Sequence, residues 1–231
     1  MANKKNPNQR MSKKVMRQAE RARATRMKQI RYGGIAVIVI ATIAALVVWR
    51  NAGKVPLEDI LASTAPNLAG SADAPIQIME FGDFGCPACR AWHNAGIQEQ
   101  LKAEYGDQIS FEFRHFPVIT ANSPKGAEAA QCAAEQGAFW EFHDFVYEQT
   151  GEPSLTNRSL KGYATQLNLD QSSFDSCLDS GKYESYIFND AQAARAAGAR
   201  GTPTFLVNGQ LAPSPSYDNL SSLIQAALDN S

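Results

Sequence analysis

The spacing of hydrophobic and polar residues predicts three strands in the later part of the chain. Residues 75–81, PIQIMEF, alternate between apolar and polar positions and then turn apolar, which indicates a strand. Residues 109–118, ISFEFRHFPV, alternate cleanly and predict a second strand. Residues 204–212, TFLVNGQLA, predict a third strand that ends in an Asn-Gly turn.

Apolar residues at helical spacing fill the segments between and after these strands. Residues 86–105 are predicted to form one helix, and residues 217–228 a closing amphipathic helix. Ser123, followed by Pro124, is expected to cap the start of a helical block at about residues 122–198. The order indicates an α/β fold in which this block is inserted into a small α/β unit. Strand–helix–strand further predicts a parallel, right-handed crossover.

The first 50 residues follow a different pattern. Residues 1–31 carry five Lys and six Arg against one Glu, a net charge of +10 in a chain whose total is −1. Residues 32–49, YGGIAVIVIATIAALVVW, contain no charged residue, and as a helix they would span about 27 Å, near the thickness of a bilayer core. The sequence therefore predicts a basic cytoplasmic tail and a single transmembrane helix, with everything after Arg50 outside the cytoplasm.

A cleavable secretory signal is the alternative for this segment. The basic region and the apolar run are too long for one, and no clear A-x-A cleavage site follows. Both interpretations place the rest of the chain outside the cytoplasm. The basic tail contains no aromatic residue, and it is expected to lie in solvent or on anionic lipid and not to bind nucleic acid. Residues 50–71 contain many Gly, Pro and Ser and predict a linker, which leaves residues 72–231 as the outer domain.

The chain has four cysteines, Cys86, Cys89, Cys132 and Cys177. A zinc site commonly needs two closely spaced pairs, and only the first two cysteines are close, so no metal site is predicted. A purely structural bridge within that pair is also disfavoured, because so short a loop constrains the unfolded chain very little. A redox centre is the interpretation that the surrounding residues favour.

Cys86 stands where the helix after the first strand is predicted to begin. Backbone N–H groups and the helix dipole at such an end stabilise a thiolate. Pro87 suits the first helical turn, because it has no N–H to leave unpaired. Cys89 lies one turn further on and faces inward, so it can attack a mixed disulfide formed at Cys86.

Two residues outside the motif strengthen this interpretation. Glu80 precedes Cys86 on the predicted strand among apolar neighbours, and burial would raise its pKa and let it exchange a proton with Cys89. A surface position on the strand's other face is the alternative for Glu80. Pro203 enters a strand and is a candidate cis-proline, which would leave the backbone of Thr202 free to pair with an extended substrate peptide.

Several stretches together resemble the DsbA-like branch of the thioredoxin superfamily, and most of all its membrane-anchored bacterial members. They are MEFGDFGCPACRAW (residues 79–92), AAQCAAEQGAFWEFHDFVY (129–147), FDSCLDSGKY (174–183) and GTPTFLVNG (201–209). The resemblance covers about residues 72–231. It implies a thioredoxin fold with a helical insertion and a dithiol–disulfide oxidoreductase that acts on secreted or envelope proteins.

The resemblance also implies a role for each residue of the site. These are the attacking Cys86, the resolving Cys89, the buried acid Glu80, the cis-proline Pro203, and Pro87, Ala88 and Thr202 as contacts to substrate. The best-known oxidase of this branch has His where this chain has Ala88. Such a His stabilises the thiolate, so the substitution leaves the direction of the redox reaction open.

The other cysteines and the histidines are expected to be structural. In an oxidising compartment Cys132 and Cys177 are expected to pair, since both lie in the helical block, and two free buried thiols are the alternative. His93 lies one turn after the cysteine pair and could tune it, although a structural role is favoured. No catalytic role is assigned to His115 or His143.

Three functions remain open from the sequence. The favoured one is an oxidase that passes its disulfide to reduced client proteins and is regenerated by a membrane partner. The second is a reductase or isomerase that a membrane electron carrier keeps reduced, and the third is a membrane-tethered binding module without turnover. The oxidase is expected to be a monomer without a cofactor, in contact with membrane lipid through its N-terminal helix.

Overall fold

The computed structural model describes Met27, Thr42 and residues 67–230. Apart from those two single residues, the predicted basic tail and transmembrane helix lie outside the described residues, as does most of the predicted linker. Among the described residues, no helix is long and apolar enough to cross a membrane. The chain divides into two compact units, Met1–Gly53 and Lys54–Ser231, and the fold below belongs to the second.

A mixed sheet forms the centre of this unit, and its five strands in the described part of the chain have the order β1-β3-β2-β4-β5. They are β1 (Leu68–Ala69), β2 (Ile76–Gly82), β3 (Ile109–His115), β4 (Thr204–Val207) and β5 (Gln210–Leu211). As predicted, β2 and β3 run parallel, whereas β4 runs antiparallel to β2. The predicted Asn-Gly turn joins β4 to β5, and both of its residues have positive φ, 44° at Asn208 and 79° at Gly209.

Eight α-helices accompany the sheet within the described residues. They are α1 (Pro87–Asn94), α2 (Ile97–Tyr105), α3 (Ser123–Ala134), α4 (Phe139–Tyr147), α5 (Asn157–Gln166), α6 (Gln171–Ser180), α7 (Glu184–Ala196) and α8 (Tyr217–Leu228). Helices α3 to α7 lie between β3 and β4 in the chain and form the predicted helical insertion. The bounds of α8 are those that its amphipathic pattern predicts.

The predicted bounds of one helix and one strand are wrong. The single helix predicted over residues 86–105 is two helices, because Gly96 between them adopts a φ of +65°, a left-handed conformation that favours glycine. The second strand ends at His115, earlier than predicted. Beyond it the chain leaves the sheet, and the N–H of Val118 donates to the carboxylate of Asp83.

A short strand lies within the segment predicted to be a linker. Leu68 and Ala69 pair with β3 in antiparallel register. Next to them, the buried side-chain amide of Asn67 donates to the carbonyl oxygen of Phe113 over 3.0 Å. The linker prediction for residues 50–71 is therefore wrong at its C-terminal end, since a two-residue strand leaves no alternation to detect.

The start of α3 also differs from the prediction. Ser123 is its first helical residue and not its cap, and Asn122 precedes it without a side-chain capping bond. The Ser123 hydroxyl instead accepts the N–H of Thr120 over 3.0 Å, so it stabilises the loop before the helix. Pro124 lies in the first turn of the helix, where its missing N–H costs nothing.

Buried residues place the cysteine pair at the junction of the sheet and the insertion. One apolar cluster contains Cys86 and Cys89 together with Phe84, Phe113 and Phe142. Within the insertion, a disulfide joins Cys132 of α3 to Cys177 of α6, with the two Cα atoms 5.8 Å apart. The cysteine pair therefore packs against side chains of the insertion.

Candidate active site

Cys86 is the N-cap residue of α1, and Pro87 and Ala88 form the exposed first turn of that helix. The Cys86 backbone is extended, with φ −92° and ψ 117°, and its Sγ accepts the N–H of Cys89 over 3.4 Å. Its own N–H donates to the carbonyl oxygen of Asp83 over 2.9 Å. The sulfur thus lies at the N-terminal end of a helix, where unpaired N–H groups and the helix dipole stabilise negative charge.

The environment lowers the pKa of the Cys86 thiol from 9.0 to about 5. The largest cause is the hydrogen bond from the Cys89 side chain. Burial opposes it, whereas the Thr202 side chain and the N–H groups of Cys89 and Ala88 again lower the pKa. At neutral pH Cys86 is therefore a thiolate, the form that attacks sulfur.

Cys89 has the opposite character. Its side chain is fully buried, and burial is the main reason that its pKa lies far above the ordinary value of a thiol. The hydrogen bond to Cys86 and the charge of Glu80 raise the pKa further. Cys89 therefore keeps its proton until a neighbouring base accepts it.

Glu80 is buried in the middle of the sheet and interacts electrostatically with both cysteines. It lies on β2 opposite Phe113 of β3 and Phe205 of β4, and it is 3% exposed. Burial first, and then the charge of Cys86, raise the pKa of Glu80 from 4.5 to about 8. A carboxyl group that titrates near neutral pH can accept and return a proton from the Cys89 thiol.

Gly82 makes room for this carboxyl group at the end of β2. A Cβ atom at this position would lie 2.4 Å from Cε2 of Phe113 and 3.2 Å from Oε1 of Glu80. Any larger residue would displace the ring or the carboxyl group, since real Cβ atoms do not approach other atoms so closely.

The Thr202–Pro203 peptide bond is cis. Strand β4 starts at Thr204, opposite Phe81 of β2, so the residues before β4 meet the residues after β2 at one edge of the sheet. At this edge the Cys86 sulfur lies 3.3 Å from the carbonyl oxygen of Thr202, to which it donates when it is protonated. The fold therefore brings Pro203 and the cysteine pair together across more than a hundred residues of sequence.

Two cavities adjoin the site. The first has a volume of about 310 Å³ and is lined by residues that include Cys86, Pro87, Ile119 and Leu155. The second has a volume of about 560 Å³ and is lined by residues that include Thr202, Pro203, Leu211 and Pro213. Both cavities are thus lined by residues assigned to the site from the sequence.

Asp83 is a structural residue of the site that the sequence analysis missed. Its buried carboxylate accepts the N–H of Gly85 over 2.7 Å and the N–H groups of Val118 and Ile119 over 2.8 Å each. One carboxylate thus fixes the loop before Cys86 to the loop after β3. The signal in the sequence was only an Asp in a short loop, where this residue is common for many reasons.

The histidines lie in ring contacts behind the cysteine pair. His93, one turn after Cys89 on α1, packs with a centroid distance of 5.3 Å against His143 of α4. His143 Nδ1 lies 2.7 Å from Oδ1 of Asp144. His115 of β3 shares a 2.7 Å hydrogen bond with Gln131, and burial above all lowers its pKa to about 3.

These groups together are suited to thiol–disulfide exchange. A thiolate lies at a helix N-terminus, a protonated thiol lies one turn behind it, and a buried carboxyl group that can hold a proton interacts with both. The sequence model described as Thioredoxin matches residues 63–226. The chain belongs to the thioredoxin family.

Relatives narrow the assignment within this family. "Probable disulfide bond formation protein D" of Bacillus anthracis is 31% identical over 201 residues, which are 83% of this chain and 91% of that protein. The crystal structure of oxidised BdbD from Bacillus subtilis matches with a TM-score of 0.63 at 25% identity, over 71% of this chain and 92% of that one. The chain is therefore a DsbA-like member of the thioredoxin superfamily, in the class of protein thiol–disulfide oxidoreductases.

Other similarities extend over longer or more distant proteins. "Na(+)/H(+) antiporter NhaA" of Herminiimonas arsenicoxydans is 32% identical over 193 residues, which are 79% of this chain but 30% of that protein. The chain thus spans less than a third of that relative. The thiol-disulfide exchange protein alpha-DsbA2 of Wolbachia pipientis has the same fold, with a TM-score of 0.64 at 21% identity over 80% of this chain and 94% of that one.

Proposed function

We propose that this protein is an extracytoplasmic disulfide oxidase that transfers the Cys86–Cys89 disulfide to reduced client proteins. One observation carries the proposal: the Cys86 thiol has a pKa of about 5 and is paired with a buried, protonated Cys89. A stabilised thiolate stabilises the reduced form of the pair. The reduced pair gains this stabilisation and the disulfide lacks it, so the disulfide is a stronger oxidant.

The reaction begins when a client thiolate attacks Sγ of Cys86 in the oxidised enzyme. A client–Cys86 disulfide forms, the Cys86–Cys89 bond breaks, and the departing Cys89 sulfur takes a proton, which Glu80 is placed to supply. A second client thiolate then attacks the client sulfur of the mixed disulfide and releases Cys86 as a thiolate. The client loses two electrons and the enzyme gains them.

The edge of the sheet beside Pro203 supplies the docking site for the client backbone. The Thr202 carbonyl oxygen accepts from the Cys86 thiol only while that thiol is protonated, so it has no donor at Cys86 when Cys86 is a thiolate or part of a disulfide. An extended client segment can then pair with the Thr202 backbone, as peptides do at open sheet edges. Pro87 and Ala88 are exposed beside Cys86 and complete the contact surface.

The location of the domain follows from the N-terminal sequence. Residues 32–49 carry no charge and follow a tail with a net charge of +10, which supports a single-pass anchor in membrane lipid with a cytoplasmic N-terminus. A membrane partner that reoxidises the cysteine pair would then lie in the same membrane. Because electrons pass only between sulfur atoms, the proposed reaction needs no cofactor. The protein is proposed to act as a monomer. Protease treatment of intact cells or spheroplasts should digest the domain, whereas protection of the domain would contradict this orientation.

Trapping of clients tests the activity. The Cys89→Ala variant is first converted to a Cys86–glutathione disulfide. The thiolate of a reduced client that contains one cysteine should displace glutathione and accumulate as a dithiothreitol-sensitive adduct on Cys86, because no second thiol is present to release it. The matched Cys86→Ala variant should accumulate few or none, because its remaining thiol is buried. Adducts in neither variant would show that the protein does not exchange disulfides with clients. If the glutathione-charged variant captured no reduced client, and the uncharged variant formed adducts with clients that already contain disulfides, a reductase would be favoured instead.

A further inference from the structure

A cluster of nitrogen and oxygen ligands joins α1 to α4, outside the cysteine pair. His93 belongs to α1, and His143 and Asp144 are neighbours on α4. One potential ligand atom from each residue lies within 4.8 Å of those from the other two. His143 Nδ1 lies 2.7 Å from Oδ1 of Asp144, and His93 Nδ1 lies 3.9 Å from the same oxygen.

One imidazole nitrogen of each histidine in this cluster lacks a hydrogen-bond partner within the described residues. Among residues 67–230, His93 Nδ1 is buried without a hydrogen-bond partner, and 3.9 Å is too long for a bond to Asp144. Nε2 of His143 is also buried without a partner in this part of the chain, and His143 is 1% exposed. Buried polar atoms are nearly always paired, and a bound ion would give Nδ1 of His93 a partner.

We propose that His93, His143 and Asp144 form a binding site for a divalent transition-metal cation such as Zn²⁺. Two imidazole nitrogens and one carboxylate oxygen are a donor set of such cations, whereas Ca²⁺ and Mg²⁺ take oxygen ligands. Tetrahedral ligands at about 2.0–2.2 Å from a metal lie about 3.3–3.6 Å from each other. The two measured distances to the Asp144 oxygen, 2.7 and 3.9 Å, lie on either side of that range, so small side-chain shifts suffice.

Access and charge are compatible with an ion at this place. The Asp144 side chain is 49% exposed, which gives the cation a route from solvent and leaves a position for water. If Nδ1 of His143 binds the metal, its imidazole proton resides on Nε2, which has no partner among the described residues, and this opposes cation binding. The ammonium group of Lys102 interacts with Asp144 and opposes cation binding, but it interacts more strongly with Glu99.

The proposed site would tie the helix of the cysteine pair to the insertion. His93 follows Cys89 by one helical turn, and Asn94 at the end of α1 already donates to the carbonyl oxygen of Tyr147 at the end of α4. The cation would add a second connection between the same two helices. The site is independent of the proposed oxidase activity, because it uses neither cysteine.

Metal binding by the full chain in detergent tests this proposal. The Cys86–Cys89 pair is first oxidised, so that no free thiol can bind the probe. Titration with Co²⁺ should give visible absorption bands that saturate at one equivalent per chain and disappear when Zn²⁺ is added. The basic tail contains no His, Cys or Asp, so it does not offer a competing set of ligands.

Matched variants assign the ligands. His93→Gln and Asp144→Asn should each weaken binding at least about tenfold, whereas Asp179→Asn, which changes an exposed acid on α6, should leave it unchanged. Neither ligand variant alters the fully buried His143, so both are expected to fold. No saturable binding at one equivalent, or equal binding by all three variants, would overturn the proposal.

Imidazole ¹⁵N signals give a second, independent measurement. The chain contains three histidines, so Zn²⁺ should shift the ring nitrogens of His93 and His143 and leave those of His115 in place. Shifts confined to His115, or no ring shifts at one equivalent, would place the ion elsewhere and overturn the proposal. This measurement does not depend on redox activity, so the site can fail while the proposed oxidase stands, and the reverse.

Discussion

The sulfur of Cys86 lies 3.3 Å from the main-chain carbonyl oxygen of Thr202, although 116 residues separate them in the chain. The contact exists because β4 runs antiparallel to β2 and starts where β2 ends. It places a peptide group beside the attacking sulfur on one side, while the N-terminus of α1 stabilises that sulfur on the other.

The Thr202 hydroxyl is buried and has no hydrogen-bond partner within residues 67–230, so it is free to turn towards Cys86 and should help to hold it as a thiolate. Thiolate absorbance near 240 nm in the reduced enzyme should titrate with a midpoint of about 5. Thr202→Val removes the hydroxyl but keeps the carbonyl group, and it should raise the midpoint by up to about one pH unit, the equivalent of one modest hydrogen bond. Thr202→Ser keeps the hydroxyl and should leave the midpoint near its original value. Equal midpoints in all three proteins would exclude this role.

The relative stability of the two redox forms should depend on pH. The pKa of Cys86 is lower in the folded protein, about 5, than its ordinary value of 9.0. The stability that this shift contributes is fully present above pH 9 and is lost as pH falls towards 5. The oxidised enzyme has no Cys86 thiol. Urea unfolding of both forms should therefore show that the stability of the reduced form relative to the oxidised one decreases from pH 9 to pH 5. A constant difference would contradict the lowered pKa.

Glu80 should set the rate at which the buried Cys89 gains or loses its proton. Glu80→Gln keeps the shape of the side chain but removes the proton exchange. We expect disulfide exchange with a reduced client peptide to slow at least about tenfold and to lose its dependence on pH near 8. Stopped-flow measurements between pH 6 and 9 would show this, with Glu80→Asp as the variant that keeps a carboxyl group. An unchanged pH profile in Glu80→Gln would remove Glu80 from the mechanism.

The stability of the Glu80→Gln variant gives a separate check with a defined sign. The pKa of Glu80 is higher in the folded protein, about 8, than its ordinary value of 4.5. The parent protein is therefore most stable relative to the variant below pH 4.5, and it loses this stability as pH rises through 8. If the variant instead lost stability relative to the parent as pH rises, Glu80 would be stabilised as a carboxylate.

The carboxylate of Asp83 should stabilise the fold around the site. Asp83→Ala leaves three backbone N–H groups without their acceptor, and we expect the free energy of unfolding to fall by about 2–4 kcal/mol. Asp107→Ala removes an exposed carboxylate beyond α2 and should change stability by less than about 0.5 kcal/mol. Equilibrium urea unfolding compares the two, and similar losses would deny Asp83 a special role.

The sequence correctly predicted the strands, turns and helices whose conformation depends mainly on residues close together in the chain. The alternation in β2 and β3, the Asn208–Gly209 turn and the amphipathic helix α8 all occur where the pattern placed them. The missed break at Gly96 depends on φ, and a single glycine within a helical pattern does not reveal whether its φ is positive. Strand β1 was missed because two residues are too few to show an alternation of apolar and polar positions.

The parts of the site that depend on tertiary contacts were harder to predict. Cys86 and Cys89 were recognisable because their spacing and the following proline act within one helical turn. Asp83 was missed because its partners, the N–H groups of Val118 and Ile119, come from a distant loop. The contact between His93 and His143 was missed for the same reason, since fifty residues separate the two and only the packing of α1 on α4 joins them.

The reduction potential of the Cys86–Cys89 pair tests the proposed oxidase most directly. The full chain would be equilibrated in glutathione buffers and its alkylated thiols counted by mass spectrometry. Thioredoxin, with a thiol pKa of about 7, has a potential of about −270 mV, and DsbA, at about 3.5, has one of about −120 mV. The Cys86 pKa of about 5 lies between them and predicts a potential between these two values, well above that of thioredoxin. A potential near −270 mV or lower would contradict the oxidase and indicate a reductase.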